Sequence, residues 1–199
     1  MAISNPVPAR LRLASASPRR RELLTSIGLT AEIAPVDVDE TPEPDESAAD
    51  YVLRLARAKA KAGALDAKLP TLGSDTAVVL DGQILGKPID QGHARQMLEA
   101  LSGRRHQVMT AVAVSGKQGL LSVCVTTQVT LRAISSKEID AYWATGEPID
   151  KAGGYAIQGR AAIFVEHLEG SYSAVVGLPL YETSQLLLRQ GVTCWPALD

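Results

Sequence analysis

Three consecutive arginines, Arg19, Arg20 and Arg21, follow the hydroxyl side chains of Ser15 and Ser17 near the start of the sequence. Serine followed by proline is typical of the first positions of a helix, so the arginines are predicted to lie in a first helical turn. Cations are unfavourable there because the N-terminal end of a helix already carries partial positive charge. An anionic ligand reverses that penalty, since free amides, hydroxyls and guanidinium groups together suit a polyphosphate. We therefore favour a polyphosphate cradle over the alternative, a solvated basic turn.

The segment Gly73-Ser74-Asp75-Thr76 places a carboxylate directly before the apolar residues 77–80. Burying Asp75 beside such a strand costs free energy unless its charge is compensated. A divalent cation, or a nucleophilic water that needs a base, would compensate it. The alternative is an aspartate that caps a helix or closes a turn, a common use of this sequence pattern.

Two further segments combine lysine with glycine. Lys87 lies in a Gly-Lys-Pro sequence, and Lys151 opens a glycine-rich stretch that ends with Gln158 and Gly159. A lysine can meet a phosphate as a compact point charge, and glycine lets the backbone approach a ligand closely. The GxxxxGK[ST] spacing of a P-loop is absent, and no GxGxxG follows a strand. An ordinary P-loop NTPase and a dinucleotide-binding fold are therefore not supported.

The bulk composition narrows the class of protein. A chain of 199 residues with 46% hydrophobic residues can bury one core, so we expect a single domain over residues 1–199. A net charge of −2 argues against a nucleic-acid partner. Cys124 and Cys194 are far apart in sequence and indicate a reducing compartment, with neither a zinc site nor a disulfide framework. No apolar run resembles a membrane span or a secretory signal, so we expect a cytoplasmic protein with no membrane partner.

The elements that must position these residues follow from hydrophobic periodicity and turn signals. Strands are predicted over residues 10–15, 30–36, 71–80, 83–85, 106–114, 120–132 and 161–167. Helices are predicted from Ser17 to Gly28, after a cap near Ser47, from a cap at Ser135 or Ser136 to Thr145, and over 93–101 and 178–189. Residues 37–46 and 146–159 are predicted to be loops. The mixed order of helices and strands favours an α/β or α+β layer fold.

Taken together, these segments resemble the Maf-like family of nucleotide pyrophosphatases. The resemblance covers about residues 11–188, and the residues before Leu11 and the tail from Thr193 lie outside it. Its motifs, in chain order, are ASASPRR at 14–20, an acidic loop ending in Asp39-Glu40, ARAKA at 56–60, GSDT at 73–76, GKP at 86–88, LSG and HQVMTAVAV within 101–114, GEPIDKAGGYAIQG at 146–159 and GSYSAVVGLPLYET at 170–183. So many matches in one order make the resemblance specific.

The resemblance implies hydrolysis of a nucleoside triphosphate to the monophosphate and pyrophosphate. The Tyr-Ala-Ile-Gln-Gly sequence at 155–159 is similar to the branch of the family that prefers dTTP and UTP. The biological role would then be removal of surplus or non-standard nucleotides, including modified pyrimidine triphosphates. A uracil or thymine ring presents one acceptor, O4, beside one donor, N3–H, and the single amide of Gln158 can answer both. The alternative is that Gln158 is a loop residue bonded to backbone.

Site residues carry over position by position. The resemblance implies that Asp75 is the proton acceptor, activating a water that attacks the α-phosphorus. It also implies a Mg²⁺ or Mn²⁺ ion held by Asp75 together with Glu40. The remaining matches are positions linked to substrate choice, namely Arg19, Thr76 and Gln158, and residues that line the phosphate and metal pocket, namely Glu40, Lys59 and Lys87.

The implied fold is an elongated, two-lobed α/β structure around a bent mixed sheet with a central cleft, similar to the inosine triphosphate pyrophosphatases. The resemblance also implies a homodimer. Two alternatives remain at this point: a Maf-like pyrophosphatase for another base, such as 7-methyl-GTP, and a nucleotide-binding regulator of cell division with little turnover. The presence of Asp75 with Glu40, Lys59 and Lys87 argues against a pure binder, because binding alone needs no base in a carboxylate pocket.

Overall fold

The computed structural model describes residues 8–195. The strands in this range are β1 (Leu11–Leu13), β2 (Ala31–Ile33), β3 (Thr71–Leu80), β4 (Gln83–Leu85), β5 (Arg105–Gly116), β6 (Gly119–Leu131) and β7 (Val165–Glu169). The helices in this range are α1 (Pro18–Ser26), α2 (Ala48–Gly63), α3 (Gln91–Leu101), α4 (Ser136–Trp143), α5 (Tyr172–Val176) and α6 (Leu180–Arg189). Short 3-10 segments span Glu147–Asp150, Ala152–Gly154 and Arg160–Phe164. None of the helices described is long and apolar enough to span a membrane.

All of these strands belong to one mixed sheet in the order β2-β1-β3-β5-β6-β7, with β4 paired to β3 outside this path. Strand β1 runs parallel to both β2 and β3, and the remaining pairs are antiparallel. Strand β3 is therefore the central element, in contact with β1, β4 and β5. The predicted α/β class with a mixed sheet is confirmed.

Helix α2 packs directly on β3 because Gly73 has no side chain. A Cβ atom at this position would lie 2.4 Å from the carbonyl oxygen of Ala56 and 2.5 Å from the amide nitrogen of Ala60. Backbone atoms cannot move aside as a flexible side chain can, so glycine is required at this depth. The close approach brings Lys59, on the neighbouring part of α2, over the middle of β3.

Apolar side chains form two main cores at opposite ends of β3, and these cores define two lobes. The first includes Leu11, Leu13, Leu24, Leu72, Val112, Val114 and Leu187. The second includes Val78, Leu98, Leu101, Val108, Val129, Ile139 and Phe164. Strands β3 and β5 contribute to both cores, so they run through both lobes.

Helix boundaries follow the predicted capping signals closely. Ser17 is the N-cap of α1, and Gly28 follows that helix with a φ of 79°. The Ser47 side chain accepts from the amide of Asp50 at the start of α2. Ser135, rather than Ser136, caps α4 in a capping box with Glu138. Side-chain caps therefore mark the starts of α2 and α4, whereas Ser17 occupies the N-cap position of α1 without a side-chain capping hydrogen bond.

The predicted strand over 161–167 is wrong in its first half. Residues 160–164 form a 3-10 segment, and β7 begins only at Val165. The reason is that the amides of Arg160 and Ala161 donate to the Glu147 carboxylate, so they are not available to a neighbouring strand. Helix α5 was not predicted, because a helix this short has almost no periodicity to detect.

Candidate active site

A cleft of about 630 Å³ is lined by residues from both lobes. Small-molecule sites typically enclose about 300–1,000 Å³. Every site residue predicted from the sequence lines this cleft: Ser15, Ser17, Arg19, Arg20, Glu40, Lys59, Asp75, Thr76, Lys87, Lys151 and Gln158. The fold therefore brings together residues that are far apart in sequence, from Ser15 to Gln158.

A carboxylate and ammonium cluster lies at the point where α2 crosses β3. Lys59 Nζ lies 2.8 Å from Asp75 Oδ1 and 2.6 Å from Glu40 Oε1. The side chains of Lys59 and Asp75 are only 12% and 13% exposed, whereas Glu40 lies at the solvent edge. Asp75 is in the middle of β3, opposite Ala111, so it neither caps a helix nor closes a turn. Its charge is compensated by Lys59 inside the protein.

The threonine beside Asp75 is oriented by a short chain of hydroxyl groups. Thr110 Oγ1 donates to the carbonyl oxygen of Ala174 at 2.7 Å. Because its one proton is committed there, Thr76 Oγ1 must be the donor in its 3.0 Å contact with Thr110. The Thr76 hydroxyl is thus left as an acceptor on the cleft wall.

The three adjacent arginines have different environments. Arg20 donates from Nε to the Gly177 carbonyl at 2.9 Å and from Nη1 to Ser15 Oγ at 3.1 Å. Burial lowers the pKa of the Arg20 guanidinium, but an arginine remains charged even so. Arg19 lies 3.7 Å from the Asp150 carboxylate, and Arg21 is exposed and does not line the cleft. The predicted cradle therefore contains two arginines rather than three.

The serines before these arginines complete the same wall. The amide of Ser17 donates to Ser15 Oγ at 3.2 Å, which orients the Ser15 hydroxyl. Ser17 occupies the N-cap position of α1, but its own side chain makes no capping hydrogen bond. Ser15 and Ser17 thus line the cleft beside Arg20 at the N-terminal end of a helix, a position that suits an anion.

Two lysines stand on the opposite rim. Lys151 Nζ forms an ion pair with Asp150, and Lys87 is exposed. The amide of Gly153 donates to the Gly86 carbonyl at 3.0 Å, which ties the segment of Lys151 to the segment of Lys87. The rim therefore presents two cations together.

Gln158 lies beyond this rim, in the loop that follows the 3-10 segment Ala152–Gly154. Its side chain is exposed to the cleft and makes no hydrogen bond to any of residues 8–195. The hydrogen bond to backbone that the alternative interpretation requires is not among the contacts of these residues. The amide of Gln158 is available to a ligand.

Two cleft residues were not singled out from the sequence. Tyr51 Oη donates to the Glu40 carbonyl at 3.0 Å, and burial together with the charges of Asp75 and Glu40 raises the pKa of Tyr51. Its spacing from Lys59, two helical turns along α2, was a usable signal. Asp150 pairs with both Arg19 and Lys151, and its place directly before a lysine gave no indication of this bridge.

Asp75 and Glu40 can contribute to a divalent cation site, but only in part. Within residues 8–195, no group of three or more His, Cys, Asp or Glu side chains is arranged to hold a metal ion. Mg²⁺ is usually held by one or two carboxylates together with substrate phosphates, rather than by an all-protein cage. Both carboxylates contact the same Lys59 ammonium, so they face a common point. This donor set fits a cation that is shared with a phosphate ligand.

The cleft thus has two chemically different ends. One end combines the carboxylates of Asp75 and Glu40 with several cations, which suits a polyphosphate. The other end is a loop with one free amide side chain, which suits recognition of a small polar ring through hydrogen bonds.

Comparison with known proteins identifies a family and relatives that are named after activity on a nucleoside triphosphate. Residues 10–190 match the family model described as Maf-like protein. A dTTP/UTP pyrophosphatase of Yersinia pestis bv. Antiqua (strain Antiqua) is 58% identical over 179 residues, which cover 89% of this chain and 91% of the relative. A dTTP/UTP pyrophosphatase of Nitrosomonas europaea is 54% identical over 195 residues, covering 91% of this chain and 94% of the relative.

A solved structure supports the fold independently of sequence. The HAM1 protein from Coxiella burnetii superposes with a TM-score of 0.54 at 17% identity, covering 92% of this chain and all of that one. Identity this low carries information about the fold alone. The agreement supports the predicted architecture around a central cleft.

Proposed function

The chain belongs to the Maf-like family, and on that premise we propose that its cleft hydrolyses dTTP and UTP to the monophosphate and pyrophosphate. Relatives more than half identical over most of the chain carry the name dTTP/UTP pyrophosphatase. The observation that carries the proposal is the Lys59–Asp75–Glu40 cluster in a cleft that also holds a fixed arginine and a free glutamine amide. Modified pyrimidine triphosphates are proposed as further substrates, and removal of surplus or non-standard nucleotides is the proposed biological role.

Asp75 is the proposed general base. Its Oδ1 atom is bonded to Lys59, while Oδ2 makes no hydrogen bond to any residue in the described range 8–195. Oδ2 can therefore accept a proton from a water molecule as the water oxygen attacks the α-phosphorus. The bond between the α-phosphorus and the bridging oxygen breaks, and pyrophosphate leaves with that oxygen.

The cations of the cleft stabilise the charge that develops during this step. Arg20 cannot swing away, because Ser15 and the Gly177 carbonyl fix its guanidinium. A donor that is already oriented costs no reorganisation in the transition state, so it stabilises charge more effectively than a mobile one. Arg19, Lys87 and Lys151 stand at the rim, where they suit the outer phosphates.

A Mg²⁺ or Mn²⁺ ion is proposed as the cofactor, held by Asp75 and Glu40 together with phosphate oxygens of the substrate. When bound, it would supply neutralisation of phosphate charge. Lys59 compensates the same two carboxylates through direct contacts, so the protein can keep them close together before any ligand arrives.

Gln158 is the proposed reader of the base edge. Its amide nitrogen can donate to O4 of uracil or thymine while its amide oxygen accepts from N3–H. The names of the relatives and this free amide favour pyrimidines over 7-methyl-GTP. The base and carboxylate cluster favours turnover over a purely regulatory binding role. The family resemblance also supports a cytoplasmic homodimer.

Pyrophosphate release from a panel of triphosphates tests this proposal. The purified protein is incubated with dTTP, UTP, CTP, 7-methyl-GTP and modified pyrimidine triphosphates in the presence of Mg²⁺, Mn²⁺ or a chelator. We expect the highest kcat/KM for dTTP and UTP, with equal amounts of monophosphate and pyrophosphate, and a loss of activity with the chelator. A preference for 7-methyl-GTP, or release of single phosphate groups, would contradict the proposal.

A further inference from the structure

The loop that carries Gln158 rests on two side chains to which no role has yet been assigned, Tyr142 and Glu147. Tyr142 lies in the last turn of α4, and Glu147 begins the first 3-10 segment. Tyr142 Oη donates to Glu147 Oε1 at 2.8 Å. Neither residue lines the cleft.

Each member of this pair holds one backbone amide that lies two residues from Gln158. The amide of Ala156 donates to Tyr142 Oη at 3.1 Å, and the amide of Arg160 donates to Glu147 Oε2 at 3.0 Å. Glu147 Oε1 also accepts from the amide of Ala161 at 3.4 Å. Gln158 is therefore at the middle of a span whose two ends are attached to one hydrogen-bonded pair.

The surroundings fit a carboxylate at this position. A Cβ atom on Gly159 would lie 2.4 Å from both oxygens of Glu147, so the glycine leaves the space that the carboxylate occupies. Burial raises the pKa of Glu147, but the amide of Arg160 and the hydroxyl of Tyr142 outweigh it, so the pKa is below its ordinary value. The carboxylate is therefore ionised and accepts strongly from the loop amides.

Packing holds the ring of Tyr142, and hydrogen bonds hold its hydroxyl group. It is buried and packs edge-to-face against Phe164, with ring centroids 5.5 Å apart. The hydroxyl both donates to Glu147 and accepts from Ala156, so its two hydrogen bonds fix its direction. The pair is thus a rigid mount for the loop.

We propose that Tyr142 and Glu147 are positioning residues that set the selectivity of the enzyme for the base by fixing the location of the Gln158 amide. The inference rests on the proposed role of Gln158 as base reader. The backbone on either side of Gln158 fixes where its side chain begins, and therefore the distance and angle at which its amide can meet O4 and N3–H of a uracil ring. A displaced side chain can present the reversed amide, which pairs with cytosine instead. A loop released from its mount permits that displacement.

The first test is Tyr142→Phe, which keeps the ring and its packing against Phe164 but removes the hydroxyl. We expect kcat/KM for UTP to fall about 5- to 10-fold, the effect of about one lost hydrogen bond, while that for CTP stays close to the wild-type value. The change should be mainly in KM, since the Lys59–Asp75 cluster is untouched. Tyr181→Phe is the matched control, because Tyr181 is exposed on α6 and lies outside the cleft.

Glu147→Gln is the second variant and carries the test if Tyr142→Phe does not fold. Its amide NH₂ group would face backbone donors. We therefore expect the same fall in the ratio of kcat/KM for UTP to kcat/KM for CTP, called here the UTP to CTP ratio. In a Gln158→Ala background, neither change should lower the ratio further. A purely structural role would reduce activity on UTP and CTP alike and would still act in that background.

The outcomes separate the two proposals. If Gln158→Ala lowers the UTP to CTP ratio but Tyr142→Phe and Glu147→Gln leave it at the wild-type value, the mount has no role in selectivity and the inference is overturned. If Gln158→Ala itself leaves the ratio unchanged, the proposed role of Gln158 fails and the inference fails with it.

Discussion

The two ends of the cleft are built in different ways. At the phosphate end, Asp75 and Lys59 lie on a central strand and a long helix, so backbone ladders and close packing determine where their charges stand. At the base end, Gln158 lies in a loop between 3-10 segments, held by side chains that bind its backbone amides. Under the proposed function, regular structure thus positions the residues of the chemical step, whereas a few hydrogen bonds position the residue proposed to read the base. Substitutions at the two ends should therefore affect different kinetic parameters.

The largest effect is expected for Asp75→Asn at the phosphate end. Asparagine keeps the shape and can still accept from Lys59, but it cannot take a proton from water. We expect kcat to fall about 10²- to 10⁴-fold, the usual contribution of a general base, and by the same factor for dTTP, UTP and CTP. Pyrophosphate release measures kcat, and the melting temperature of the variant shows whether it is folded. Near-normal kcat in a folded Asp75→Asn protein would contradict the proposed role of Asp75. A loss that differs between dTTP, UTP and CTP would contradict the separation between the two ends of the cleft.

Gln158→Glu addresses the base end. Glutamate keeps an acceptor but removes the amide donor, so O4 of uracil or thymine faces a carboxylate. An unpaired buried polar group costs about 1–3 kcal/mol, which corresponds to about a 5- to 150-fold loss of kcat/KM for dTTP and UTP. Activity on CTP, whose N4 amine is a donor, should fall less. If all three substrates change by one factor, Gln158 does not read the base.

The smallest effect is expected at the rim, where Arg19→Ala can be compared with Arg21→Ala. Arg19 lines the cleft and Arg21 does not, although both are arginines in the same helical turn. We expect Arg19→Ala to weaken triphosphate binding about tenfold and monophosphate binding much less, because its partner is an outer phosphate. Arg21→Ala should leave the affinities for triphosphate and monophosphate within about twofold of the wild-type values. Titration of each protein with UTP and UMP measures the difference, and equal losses for the two ligands would argue against the cradle.

Much of the phosphate end could be predicted because its signals are local. Serine, proline and arginine at the start of α1 lie next to each other in sequence, so capping rules are sufficient to place them. The contact between Lys59 and Asp75 could not be derived in this way. It depends on how closely α2 packs against β3, and the absence of a side chain at Gly73 permits that close packing. Only the folded chain shows why this residue must be glycine.

The base end was predicted less completely. The segment 146–159 was predicted to be a loop and Gln158 to be a site residue within it, but no sequence signal pointed to Tyr142 or Glu147. Their partners are backbone amides of residues 156, 160 and 161, and sequence patterns carry no information about which amides a side chain will meet. The same hydrogen bonds explain why the strand predicted from Ala161 begins later.

The close packing of α2 on β3 at Gly73 also bears on the order in which the protein folds. Lys59 and Asp75 are 16 positions apart in consecutive elements, whereas the hydrogen bond between His106 and Tyr155, three residues before Gln158, joins residues 49 positions apart. Shorter chain separations cost less loop-closure entropy and form sooner. During folding, we therefore expect α2 and β3, which carry Lys59 and Asp75, to come together before the loop that carries Gln158 docks.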